Sequence, residues 1–70
     1  MKTDINIAFG KRVAELRRLQ NTSQEDFAEL CGVHRTYIGA LERGEKSPTL
    51  NTIAKVAKGL QISIVELFKF

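Results

Sequence analysis

Residues 23–44 read SQEDFAELCGVHRTYIGALERG, and their punctuation decides the fold. Ser23 reads as a helix N-cap, because its hydroxyl can accept from an amide of the first turn that has no intrahelical partner. Asp26, three residues on, suits a capping box, and Glu25 places negative charge at the positive end of the helix. Phe27, Ala28, Leu30 and Cys31 supply the apolar face. Gly32 stops this helix at a tight connection that calls for positive φ. Another helix follows almost at once, roughly His34 to Arg43, with Val33 buried ahead of it and Ile38 and Leu41 within it. Gly44 ends it. Two short helices joined through a glycine turn are the outline of a helix-turn-helix.

Upstream, apolar residues at Ile5, Phe9, Val13, Leu16 and Leu19 recur at steps of four, four, three and three, one stripe of an amphipathic helix. It closes at Gln20-Asn21-Thr22, where Asn21 tolerates the left-handed conformation. Downstream, Glu45-Lys46-Ser47-Pro48 is a polar loop, and Pro48 keeps residue 47 out of helical geometry. Thr49 caps a fourth helix carrying Leu50, Ile53, Val56, Ala57 and Leu60, with Gly59 near its end. Ser63 and Glu66 repeat the capping pattern for a short fifth helix, Ser63 to about Lys69. Five helices without a strand pattern predict one all-α domain over residues 1–70.

Composition narrows the class. A chain that is 43% hydrophobic and 27% charged, with one Pro, is globular rather than disordered. Cys31 is the only cysteine, so an internal disulfide is impossible and a reducing compartment is expected. A fold of this size without staples relies on tight helix packing, on oligomerisation, or on both. No run approaches the ~18 apolar residues of a membrane span, and residues 1–9 lack the apolar run of a signal peptide, so a cytoplasmic protein is expected. The net charge of +3 is compatible with nucleic acid without arguing strongly for it. The distribution is more telling: Lys11, Arg12, Arg17 and Arg18 crowd the first helix, Glu25, Asp26 and Glu29 share one turn, and Arg35, Arg43 and Lys46 follow.

The whole pattern resembles the lambda-repressor-like (Cro/C1, XRE-type) helix-turn-helix family. Residues 23–44 resemble its reading motif, FGKRVAELR its first helix, and SPTLNTIAKVAKGLQISIVELF its fourth and fifth. HRTYIGALERG is also similar to the recognition helix of stand-alone restriction–modification controller proteins. The resemblance implies a compact five-helix DNA-binding domain whose third helix enters the major groove. In it Ala28 sits where the two motif helices cross, Gly32 makes the turn, and Ile38 and Leu41 anchor the recognition helix. Base-edge contacts fall on Arg35, Thr36 and Ala40, with His34 at the rim. Gln24 is the backbone-clamping position, Tyr37 and Arg43 match other phosphate-facing positions, and Lys46 and Asn51 extend the clamp. Arg17 matches a position that pairs with the one at Glu42, so these two are expected to form a structural ion pair. Gly39 departs from the family's usual serine, and His34 from its usual Asp, Ser or Thr cap.

The tail, residues 61–70, carries more apolar side chains than one short helix can bury. Ile62, Ile64, Val65, Phe68 and Phe70 therefore suggest a two-fold dimer interface, the more so because the family commonly has a polar residue at Val65. The function expected is sequence-specific regulation of transcription by a homodimer on palindromic operators, in the manner of an autoregulating controller protein. The alternative is an antitoxin-type regulator on the same fold, which would bind both DNA and a protein, or a protein-interaction module, which would more often carry apolar or acidic residues where Arg35, Thr36 and Tyr37 stand. An enzyme is not expected: one His and one Cys, three apart, match no metal pattern, and the five glycines are isolated. No cofactor, metal or small-molecule effector is expected.

Overall fold

The computed structural model describes residues 2–70 and contains five helices: α1 (Asp4–Leu19), α2 (Gln24–Cys31), α3 (Arg35–Glu42), α4 (Leu50–Leu60) and α5 (Ile64–Leu67). Each begins where a local side chain satisfies the first turn. Thr3, Ser23, Thr49 and Ser63 accept from the amides of Asn6, Asp26, Thr52 and Glu66. At α3 the cap is His34, whose Nδ1 accepts from the Thr36 amide at 3.1 Å; α3 accordingly starts one residue later than the sequence suggests. Gly32 (φ 73°) turns α2 into α3, while Asn21 (φ 54°) and Gly44 (φ 79°) carry the chain out of α1 and α3.

The core is built from Phe9, Val13, Phe27, Ala28, Cys31, Ile38, Leu41, Val56, Ala57, Leu60 and Leu67. Four apolar residues expected in it lie outside: Ile5, Leu19, Leu30 and Leu50 are all more than half exposed. In α1 the buried stripe runs instead through Asn6, Phe9, Gly10, Val13, Ala14 and Arg17. Polar residues occupy it because partners from elsewhere satisfy them. Asn6 Nδ2 donates to Ser47 Oγ at 2.7 Å, tying α1 to the loop before α4.

Gly10 lets α1 lie close against the backbone of α3. A Cβ there would sit 2.8 Å from the Glu42 carbonyl oxygen and against that of Leu41. The four-residue α5 is held from outside. Arg12 donates through Nη2 to the Glu66 carbonyl at 2.9 Å and through Nε to that of Leu67 at 3.4 Å, satisfying helix-end acceptors that lack intrahelical partners. Arg12, part of the basic first helix in sequence, thus serves α5. None of the described helices is long and apolar enough to cross a membrane.

Candidate nucleic-acid interface

The surface of interest starts from a buried charge. Arg17 Nε donates to Glu42 Oε2 at 2.7 Å and Nη2 to Oε1 at 3.0 Å, while Nη1 donates to the Thr22 carbonyl at 2.9 Å. The two side chains are 10% and 5% exposed. The hydrogen bonds that the guanidinium donates to Glu42, which outweigh the desolvation of a buried cation, hold it charged above its ordinary range. One paired, bidentate contact thereby locks the end of α1 to the end of α3. Gln24 continues the network outward, its Nε2 donating to Glu42 Oε1 at 2.9 Å.

Ile38 and Leu41, both fully buried, fix the rotation of α3 and so decide which residues it presents. The exposed face opens on a cleft of about 390 Å³ lined by Gln24, Glu25, Arg35, Thr36, Gly39 and Arg43. Arg35 stands at its mouth, 65% exposed, with Nη1 3.1 Å from Glu25 Oε2. The Thr36 hydroxyl lies 2.8 Å from His34 Nδ1, so His34 both caps the helix and steadies a neighbour. Arg43 is chelated by Glu45 at 2.9 and 3.2 Å; that contact holds the Glu45 carboxyl below its usual range. Lys46 Nζ lies 6.0 Å from the centre of the half-buried Tyr37 ring, at cation–π distance. Asn51 is exposed in the first turn of α4.

Eight of the nine residues assigned to DNA from the sequence are thus partly or fully open to solvent, and Gln24, Arg35, Thr36 and Arg43 share the cleft. Ala40 is the exception. It is 8% exposed, because the rotation that buries Leu41 carries its neighbour inward. The cleft-facing residue at this level is Gly39, whose missing side chain leaves the floor open: a Cβ would meet only the Arg43 Nη1, at 3.1 Å, and Gln24 Oε1, at 3.7 Å. Glu25 and Glu45, which engage the two cleft arginines, were not singled out for that role. The acidic residues follow a cap and a glycine, and nothing in their spacing shows which cation each will meet.

Among the tail residues, Ile64 (48%), Val65 (73%) and Phe70 (54%) are open, whereas Phe68 (38%) leans one face on Phe9, with ring centres 5.2 Å apart. Ile62 is half-buried against the core. Its amide follows the left-handed Gln61 (φ 60°) and donates to the Ala57 carbonyl at 3.1 Å.

The family model described as "Helix-turn-helix" matches residues 13–67. The chain belongs to the helix-turn-helix family. Among helix-turn-helix relatives, it is 44% identical over 64 residues to Control protein C.SmaI of Serratia marcescens, covering 91% of this chain and 76% of that one. It is 38% identical over 71 residues to Control protein C.BamHI of Bacillus amyloliquefaciens, covering 100% and 88%. The crystal structure of the restriction-modification controller protein C.AhdI from Aeromonas hydrophila superposes with a TM-score of 0.91 at 41% identity, covering 94% of this chain and all of that one. The sequence resemblance and the superposition point to the same helix-turn-helix subgroup.

Proposed function

We propose that the protein is a sequence-specific, double-stranded DNA-binding transcription regulator that acts as a homodimer on two-fold symmetric operators, in the manner of a restriction–modification controller protein. The single observation that carries this reading is the mouth of the cleft: a solvent-facing Arg35 beside Thr36, on a helix whose opposite face is anchored by Ile38 and Leu41. Arginine offers paired donors that match O6 and N7 of guanine, a contact worth about 1–3 kcal/mol of discrimination. Gln24, at the start of α2, and Tyr37, Arg43, Lys46 and Asn51 around the rim suit the phosphates, which fix register and carry no sequence information. The control proteins among the relatives favour this reading over a protein-interaction module, as does the polar and cationic character of the α3 face.

One recognition helix of eight residues covers only a few base pairs. A dimer supplies a second, about 34 Å away and one helical turn along the duplex. Ile64, Val65, Phe68 and Phe70 form the apolar face for that contact, centred on α5. A cytoplasmic location fits a regulator of this kind. The test is a gel-shift titration against the DNA upstream of the protein's own gene, with sedimentation velocity on free protein. A complex that resists random competitor, with two chains per duplex and a free dimer at micromolar concentration, is expected. Salt-labile binding shared by all sequences would reduce the interaction to phosphate attraction, and a strictly monomeric protein would remove the α5 interface.

A further inference from the structure

The Arg35–Glu25 pair bridges the first turns of α2 and α3, across the mouth of the cleft read above as the DNA interface. From this geometry we infer that Glu25 is a specificity-determining positioning residue, which orients the Arg35 guanidinium toward a base edge once the duplex closes over the cleft. The inference rests on the DNA-binding reading and goes beyond it.

Three features support it. The contact is single: Nη1 of Arg35 meets Glu25 Oε2 at 3.1 Å, which leaves Nη2 and Nε of the guanidinium for an acceptor pair on a base edge. Glu25 stands in the first turn of α2 behind the Ser23 cap, where the helix dipole favours its charge, with its side chain 70% exposed. And among the described residues Arg35 has no other carboxylate partner, while the second cleft arginine, Arg43, is chelated by Glu45, so Glu25 is dedicated to one side chain.

In the free protein such an exposed pair contributes little to stability, since water competes for both groups. Its effect belongs to the complex. A long arginine side chain loses rotamer freedom when it docks on a base, and a carboxylate that bonds it in the docked pose offsets part of that loss. Once the duplex excludes water, the pair strengthens. The carboxylate also repels phosphate, so a misdocked backbone gains less from this corner of the cleft than a guanine edge does. Both effects raise the ratio of specific to non-specific binding.

The experiment uses the full chain and the duplex that the wild-type protein enriches from a random pool. Fluorescence anisotropy then compares that duplex, a version changed at the base pair read by Arg35, and a scrambled duplex, for wild type, Glu25→Ala, Glu25→Gln, Arg35→Ala and the Glu25→Ala/Arg35→Ala double variant. Circular dichroism melts establish that each is folded. Glu25→Ala is expected to lower the preference at the Arg35 base pair about three- to ten-fold, the range that the freedom of one such side chain allows. Affinity for scrambled DNA should hold or rise, and Glu25→Gln, which keeps an acceptor, should recover part of the preference. In the Arg35→Ala background the Glu25 substitution should leave the preference unchanged. An equal gain on all three duplexes, or the same change in preference without Arg35, would make Glu25 a repelling surface charge and overturn the inference. If the wild type enriches no sequence at all, the DNA-binding reading itself fails, an outcome distinct from either.

Discussion

Replacing Arg17 by methionine tests whether the buried ion pair organises the reading helix. The substitution keeps much of the stem and removes a guanidinium that makes three hydrogen bonds, two to Glu42 and one to the Thr22 carbonyl. Glu42, 5% exposed, would retain only the Gln24 amide at 2.9 Å for a buried charge. Stranding one member of such a pair costs about 3–5 kcal/mol. A domain of 70 residues has roughly 4–10 kcal/mol in total, so Arg17→Met should lose a large share of it. At ~4–8 °C per kcal/mol for this size, the melting temperature should fall by well over 10 °C. The double variant Arg17→Met/Glu42→Leu removes both charges and should regain much of the loss, because neither is then left buried alone. Urea unfolding followed by circular dichroism reads all three stabilities. A loss below ~1 kcal/mol in the single variant would contradict the reasoning, placing the pair with surface bridges that contribute little. A double variant no more stable than Arg17→Met would assign the cost to lost packing rather than to stranded charge.

Two further predictions concern the core and its backbone. Gly10→Ala should destabilise by about 1–3 kcal/mol or more, since its Cβ would press on the α3 backbone at Leu41 and Glu42; Gly39→Ala, which meets only the flexible ends of Arg43 and Gln24, should instead gain about 0.5–1 kcal/mol of helix stability, and thermal melts of the two variants distinguish these signs. Burial pushes the Cys31 thiol up to about 11 from an ordinary 9.0. The folded state therefore holds the proton more tightly than the unfolded one, so this contribution is intact below pH 9 and is lost as pH rises from 9 towards 11. Ellman's reagent at pH 8 should leave Cys31 untouched until guanidinium is added; rapid labelling of folded protein would contradict its burial.

What was legible in the sequence was local. Ser23, Thr49 and Ser63 cap helices through amides three residues away, a contact that spacing alone reveals, and Gly32 turns left-handed where α2 must stop. The phase of the faces was less legible. Ile5 and Leu19 look like core residues by letter and period, yet Asn6 and Arg17 take the buried positions, answered by Ser47 and Glu42 from 41 and 25 residues away; the Arg17–Glu42 pair was expected, but only through the family resemblance. No periodicity rule sees a partner at that distance. The same limit applies to Ala40, expected on the reading face where Gly39 lies instead: a shift of one residue on a helix is a rotation of about 100°, and only the packing of Ile38 and Leu41 fixes it. Arg12 looked like one more basic residue of a DNA-binding chain and instead ends α5. Arg35 and Thr36, assigned through resemblance, do lie together on the open face, while the carboxylate facing Arg35 required the tertiary structure.

The central claim, that the exposed face of α3 reads base sequence, is tested most directly by selecting duplexes from a random pool with the wild-type protein and with Arg35→Ala. The wild type should enrich a two-fold symmetric site whose half-sites lie one helical turn apart, with a guanine required at one position of each half. The Arg35→Ala protein should lose the requirement at that position and keep the rest. Enrichment of an identical site by both proteins, or of no site by the folded wild type, would contradict the account.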